Sequence, residues 1–252
     1  MKTVLITGAT RNTGLATARR FAKEGWNIAI TSRDAETAKR AALKLGEEFP
    51  VTARGYGMQL DDMESIKNTF CQVSQDFGKL QAFVANSANL GIGFDLLNTN
   101  DAEFDAIVNV NIKGTFFCCQ EAAKLMMNTG GSIVTMGSVQ GSGAVMGRAV
   151  YGMTKAALSQ LVRSMACELG QYGIRANNIV AGAIHSSRWD DLSPEEINQR
   201  RSRYPAGRES TEEEIANAVW FLCSENAATI TGTDMTIDSG ISACLLPYQK
   251  KE

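Results

Sequence analysis

Tyr151 and Lys155 stand four residues apart in the stretch AVYGMTKAAL, a spacing that puts both side chains on one helical face, one turn from each other. An ammonium held there favours the phenolate. It draws a hydroxyl whose ordinary pKa is near 10 toward neutral pH, where it can exchange protons with an alcohol or a carbonyl. Ser138 closes the apolar run SIVTMGS thirteen residues before Tyr151, and its hydroxyl is suited to holding the oxygen of such a substrate. Near the start of the chain, VLIT leads into TGATRNTG, where Gly8 and Gly14 flank a turn that opens a helix. Backbone N–H groups at that helix start can carry a dinucleotide pyrophosphate. Where an acid would take the ribose 2′-hydroxyl of NAD, the chain has Ser32 and Arg33. A hydroxyl and a guanidinium suit a 2′-phosphate, with Arg11 of the turn aimed at the same group, so NADP(H) is expected over NAD(H). Asp34 stands next to Arg33, close enough to pair with it or to take a ribose hydroxyl.

Each of these residues also has a plain reading. A Tyr-x-x-x-Lys pair is often a core ring beside a solvated amine, and arginines are often solvated surface charge. What raises the chemistry above that is the coincidence of all the parts. Short apolar runs at 4–7, 27–31, 52–58, 81–86, 132–138, 175–180 and 233–238 alternate with helical patterns near 14–25, 34–46, 62–77, 101–127, 150–170 and 211–224. This is a βαβ rhythm with no linker, and it predicts a single α/β domain over residues 1–252: a doubly wound parallel sheet, or Rossmann fold, with helices on both faces. In that fold the C-terminal ends of the strands line the crevice, where the glycine turn and Ser138 both fall. The exception is the polar, arginine-rich segment 185–208, read as a substrate lid.

Glycine turn, Ser138, Tyr151 and Lys155 together resemble the classical short-chain dehydrogenases/reductases, and the resemblance runs from TGATRNTG through RANNIVAGAIHSS to ITGTDMTIDSG. It is similar above all to the 3-oxoacyl-carrier-protein reductase and sugar or ketone reductase branch. The resemblance implies hydride transfer between NADP(H) and a carbonyl/secondary-alcohol pair, without a metal. Tyr151 acts as acid/base, Ser138 holds the substrate oxygen, Lys155 tunes Tyr151 and holds the nicotinamide ribose, and Asn111 of NVNIKG supports proton resupply. On its own residue type Asn111 reads as a helix amide bonded to backbone. The resemblance further implies a cofactor held by Gly8, Thr10, Arg11, Asn12, Thr13, Gly14 and Leu15, by Ser32 and Arg33, and by Gln59 and Leu60. Asn86, Tyr151, Lys155, Gly182, Ile184 and Ser186 complete the set. The sequence departs from the family pattern at Asn12, which replaces a turn glycine, and at Gln59, where an Asp is common. It departs also at Ala85-Asn86-Ser87-Ala88, where the family has Asn-Asn-Ala-Gly, and at Ala181-Gly182, where it has Pro-Gly. Asn tolerates left-handed backbone, but its side chain adds bulk beside the phosphates.

Composition narrows the partners. A formal charge of -2 offers no basic field for nucleic acid, and one histidine, His185, excludes any site that needs two imidazoles. His185 itself reads as a loop residue beside the lid. No stretch has the length of a membrane span, and the six cysteines show no CxxC spacing, so a cytoplasmic protein with reduced core thiols is expected. The lid arginines Arg188, Arg200, Arg201 and Arg203, with Arg208, suggest an anionic or carrier-linked substrate, against the plainer reading that Asp190, Asp191, Glu195 and Glu196 balance them. Apolar residues on two stripes, Phe104, Ile107, Val108, Phe116 and Phe117 on one and Val150, Met153, Leu158, Leu161, Val162 and Met165 on the other, call for a further covering surface. The family's pairing of these helices makes that a homodimer or homotetramer. The alternative to an enzyme is a catalytically weak dinucleotide sensor that binds a partner, which Asn12 and the altered Asn86 segment would favour and the Ser138, Tyr151, Lys155 set disfavours.

Overall fold

The computed structural model describes residues 1–186 and 189–246. Its strands are β1 (Thr3–Ile6), β2 (Asn27–Ser32), β3 (Ala53–Gly57), β4 (Ala82–Ala85), β5 (Gly131–Ser138), β6 (Ile174–Ala181) and β7 (Asp234–Ile237). All pair in parallel, in the order β3-β2-β1-β4-β5-β6-β7. Strands this short and apolar are buried on both faces, and alternate residues feed two separate cores. Val4, Ile6, Ile28, Ile30, Val84 and Val134 pack under α1 (Asn12–Lys23), α2 (Ala35–Glu48) and α8 (Glu212–Cys223). Leu5, Ala29, Phe83 and Ile133 pack on the other side under α3 (Met63–Phe77), α5 (Thr115–Met126) and α6 (Ala149–Leu169). The sheet is therefore doubly wound, as the rhythm predicts. Strand order reverses between β1 and β4, which opens the crevice at the C-terminal edge.

Side chains set where the helices begin. Asp34 and Asp62 accept from the N–H groups of the first turns of α2 and α3, and Thr211 with Glu214 forms a capping box on α8. Asp34 is thus occupied as a cap, bonded to Glu36 and Thr37. The pattern over 101–127 is not one α-helix. It consists of α4 (Asp101–Val108), a π-helical turn over Asn109–Gly114, and α5. The wider turn brings Gly114 against the carbonyl of Leu60; a Cβ there would lie 2.2 Å from that oxygen. The thiols also differ from the expectation: Cys118, Cys119 and Cys223 are buried, but Cys71 and Cys167 are exposed. Both of these lie on outward faces of amphipathic helices, where a small residue carries no burial signal of its own.

The segment 185–208, read above as a lid, has its own architecture in its described residues. Ser193 and Glu196 form a capping box and Pro194 occupies the first turn of α7 (Pro194–Arg201). Trp189 and Tyr204 are both buried and anchor the segment inward. Its two ends are zipped by a bridge between Ile184 and Ser210 and by the bond from His185 N–H to the Ser210 carbonyl. Among the described residues no helix is long and apolar enough to cross a membrane, and no group of three or more His, Cys, Asp or Glu could hold a metal ion.

Candidate active site

The reaction end of the crevice is built by β5 and α6. Ser138 is the last residue of β5, half-buried, and its hydroxyl accepts from the N–H of Gln140 at 3.2 Å. The short turn that follows lies directly on α6, because glycines remove the obstacle on both sides. A Cβ at Gly141 would stand 2.9 Å from the Ala156 nitrogen, and one at Gly152 would stand 2.8 Å from the Gln140 carbonyl oxygen. This close approach holds Ser138 beside the turn of α6 that carries Tyr151 and Lys155, both buried. The role of Gly141 and Gly152 escapes sequence reasoning, since it depends on which backbone lies opposite.

Lys155 Nζ donates to the Met136 carbonyl at 2.6 Å and lies 5.5 Å from the centre of the Tyr151 ring. Burial penalises its charge and pushes its pKa down to about 8. Below that value the amine is the cation beside the phenol. A second cation stands on the same ring: the guanidinium carbon of Arg148 is 4.3 Å from its centre, within cation–π range. Sequence reasoning missed Arg148. Its signal is its position, three residues before Tyr151 and so on the same face of the helix start.

Asn111 lies in the π-helical turn and is buried. Its carboxamide accepts from Asn89 N–H at 2.7 Å and donates to the Asn89 carbonyl at 2.9 Å and to Thr154 Oγ1 at 3.1 Å. Thr154 in turn donates to the Tyr151 carbonyl at 2.8 Å. Both amide protons of Asn111 are committed, and the side chain ties the loop after β4 to the helix that bears Tyr151. The amide is thus bonded to the Asn89 backbone and to the Thr154 hydroxyl.

The nucleotide end is built from backbone. Gly8 has φ 61 and Asn12 φ 50, so the residue that replaces a glycine takes the left-handed conformation that Asn tolerates. Gly14 is packed from below: a Cβ there would be 2.6 Å from the Gly8 carbonyl and 2.7 Å from Asn86 Nδ2. Asn86 donates through that nitrogen to the carbonyls of Thr7 and Gly8 at 2.9 and 3.1 Å, while Thr7 Oγ1 accepts from the N–H groups of Asn86 and Ser87. Asn86 therefore supports the turn from beneath. Thr10, Thr13 and Leu15 are half-buried around it and Arg11 is exposed. Ser32 ends β2, Arg33 is exposed, and Gln59 Nε2 reaches the Arg33 carbonyl at 3.4 Å, with Leu60 following. Gly182 bonds to the Ile237 carbonyl, Ile184 is held by its bridge to Ser210, and the Ser186 carbonyl accepts from Trp189 N–H.

A family model described as enoyl-(acyl carrier protein) reductase matches residues 8–242. The chain belongs to the classical short-chain dehydrogenase/reductase family. It is 33% identical over 247 residues to 2-(S)-hydroxypropyl-CoM dehydrogenase 3 of Xanthobacter autotrophicus, covering 95% of this chain and 96% of that protein. It is 32% identical over 243 residues to the 3-oxoacyl-[acyl-carrier-protein] reductase FabG of Staphylococcus aureus, covering 95% and 98%. Among solved structures, an NAD+-bound xylitol dehydrogenase superposes with a TM-score of 0.88 at 28% identity, covering 95% and 98% of the two chains.

Short-chain dehydrogenases/reductases are oxidoreductases that use nicotinamide dinucleotides, and the residues present fit such a group. The first turn of α1 has no capping side chain and no acidic residue, so its N–H groups and the positive end of the helix dipole are offered to phosphate. Beside Thr10, a groove of about 330 Å³ between α1 and α2 is lined by Arg19, Arg40 and Lys44, with Glu48 the one acid. Cations therefore outnumber acids along this side of the turn.

The lid resolves differently from its sequence reading. Arg201 forms two bonds to Glu209, at 2.7 and 2.8 Å, Arg208 pairs with Glu214, and Arg200 stacks on Trp189. Glu209 and Glu214, which follow the lid, take Arg201 and Arg208, while within the lid the hydrogen bonds with Ser193, helped by the charge of Arg200, lower the pKa of Glu196. Arg203 is exposed, and Arg188 lies outside the described residues. His185 keeps a place beside the lid but has a partner: its Nδ1 is 2.7 Å from Glu209 Oε1, and its ring lies 5.6 Å from that of Trp189. Glu209 is buried, and the hydrogen bonds from Arg201 hold its pKa down to about 2, with His185 adding to the effect.

Proposed function

We propose that this short-chain dehydrogenase/reductase interconverts a carbonyl and a secondary alcohol with NADP(H), using Tyr151 as the general acid/base. The observation that carries the reading is Lys155: a buried amine, bonded to the Met136 carbonyl at the end of β5 and one helical turn from Tyr151. A buried cation is costly even with one hydrogen bond to a carbonyl, and beside a phenol that cation favours the phenolate. When bound, the nicotinamide supplies or accepts the hydride. In the reductive direction Tyr151 gives its hydroxyl proton to the substrate oxygen, Ser138 donates a hydrogen bond to that oxygen as charge develops on it, and Lys155 stabilises the phenolate left behind. Asn111 positions Tyr151 through Thr154. Gly8, Asn12 and the start of α1 carry the pyrophosphate, and Ser32 and Arg33, with Arg11, receive the 2′-phosphate that sets NADP(H) over NAD(H).

Phe104, Phe116 and Met153 remain exposed on α4, α5 and α6, which supports a homodimer or homotetramer closed over these faces. A small carbonyl substrate in the cytoplasm, free or carrier-linked, completes the reading. The test is NADPH consumption over a panel of ketones and aldehydes by wild type and Tyr151→Phe. Turnover that vanishes in the variant, with NADPH still bound, is the expected result. Nucleotide binding without turnover on any carbonyl would overturn the enzyme reading.

A further inference from the structure

Arg148 occupies a meeting point of the crevice. Its backbone forms a parallel bridge with Phe94, so the loop after β4 and the loop after β5 join at this residue. Its guanidinium lies against the ring of Tyr151, on the side chain that the reading above makes the proton donor. The cation is therefore placed within one side-chain length of the reacting oxygen, by backbone pairing on one side and ring stacking on the other. Of the lid arginines, Arg201 and Arg208 are turned onto the carboxylates of Glu209 and Glu214. The geometry thus puts a guanidinium at the start of α6, beside the candidate reaction centre.

Guanidinium chemistry says which anions. It is charged at every working pH, it is planar, and its fork of N–H donors matches two oxygens of one acid group. We propose that Arg148 is a specificity-determining residue that selects carbonyl substrates bearing a carboxylate, or another oxyanion of like geometry, a few bonds from the reacting carbon. The proposal rests on the assignment of Tyr151 as acid/base. It places the anion beside the phenol ring, so the substrate is short between its two polar ends and its remaining bulk points away from Arg148.

The experiment compares kcat/KM for 3-oxobutanoate and its uncharged methyl ester with NADPH, in wild type, Arg148→Lys and Arg148→Met. Calorimetric NADPH binding by each variant shows that the fold is intact. The expected result is a wild-type preference for the acid of tenfold or more, carried by KM. The ratio falls about tenfold in Arg148→Met and by less in Arg148→Lys, which keeps the charge and loses the fork. One charged hydrogen-bonding group is worth at least that much. Equal loss on acid and ester in Arg148→Met, or a wild type indifferent between them, overturns the proposal and leaves the oxidoreductase reading standing. Absence of turnover on any carbonyl by wild type overturns the assignment of Tyr151 itself, and the proposal with it.

Discussion

The two ends of the crevice are built from different materials. At the nucleotide end, backbone groups and short side chains form the turn, and the cations Arg11, Arg33 and Arg40 stand exposed around it. At the reaction end, Asn111, Thr154 and Lys155 are buried, each with named hydrogen-bond partners. An exposed cation recognises a phosphate by charge that water and salt can screen. A buried group is held in one geometry and one protonation range by its neighbours, which proton transfer requires. On the proposed function, recognition tolerates solvent and chemistry does not.

The contrast breaks if changes at the two ends have equal weight. Tyr151→Phe should have the largest effect, a loss of about 10²–10⁴ in kcat with NADPH affinity retained, measured by steady-state kinetics beside calorimetry. Next comes Gly152→Val, which drives a side chain into the Gln140 carbonyl. It should cost about 1–3 kcal/mol in denaturant unfolding and lower kcat by displacing Ser138, with little change in the nucleotide turn.

Glu209→Gln tests whether the lid belongs with the buried end, and should cost about 1–2 kcal/mol by loss of charged hydrogen bonds. Because the folded pKa is depressed to about 2, the stabilisation from Glu209 is complete above the ordinary carboxylate range. It is lost as pH falls toward 2. Thermal unfolding between pH 5 and pH 2 should accordingly fall less steeply in the variant than in wild type. The smallest effect is at the exposed end: Arg33→Ala should reduce the NADPH-over-NADH preference about tenfold, the worth of a charged contact in partial solvent. That preference should shrink as salt is raised, while the Tyr151→Phe defect should not.

How much of this could be read from the sequence follows the same division. Strand and helix alternation is local, so all seven strands and the sheet class follow from apolar period. Gly8, Asn12, Ser138, Tyr151 and Lys155 lie in short motifs whose spacing is itself the signal. The π-helical turn at Asn109–Gly114 is silent, because one extra residue per turn shifts the apolar pattern without requiring a glycine or proline. Partnerships across the fold are silent too. Glu209 meets His185 from 24 residues away, and Asn111 meets Asn89 and Thr154 across three separate segments, with no local pattern to announce either. Cys71 and Cys167 show the converse: residue type alone says inside, and the helix face decides outside.

The burial of Lys155 has a consequence for chemical self-protection. An amine whose pKa lies near 8 gives up its proton easily, and a free amine near neutral pH condenses with aldehydes and ketones. A protein that admits carbonyl compounds beside such a lysine is exposed to being covalently labelled by its own substrates. Here the nitrogen is tied to the Met136 carbonyl and only 5% of the residue is exposed, so little of the amine is open to carbonyl compounds. The same enclosure that loosens the proton guards the nucleophile.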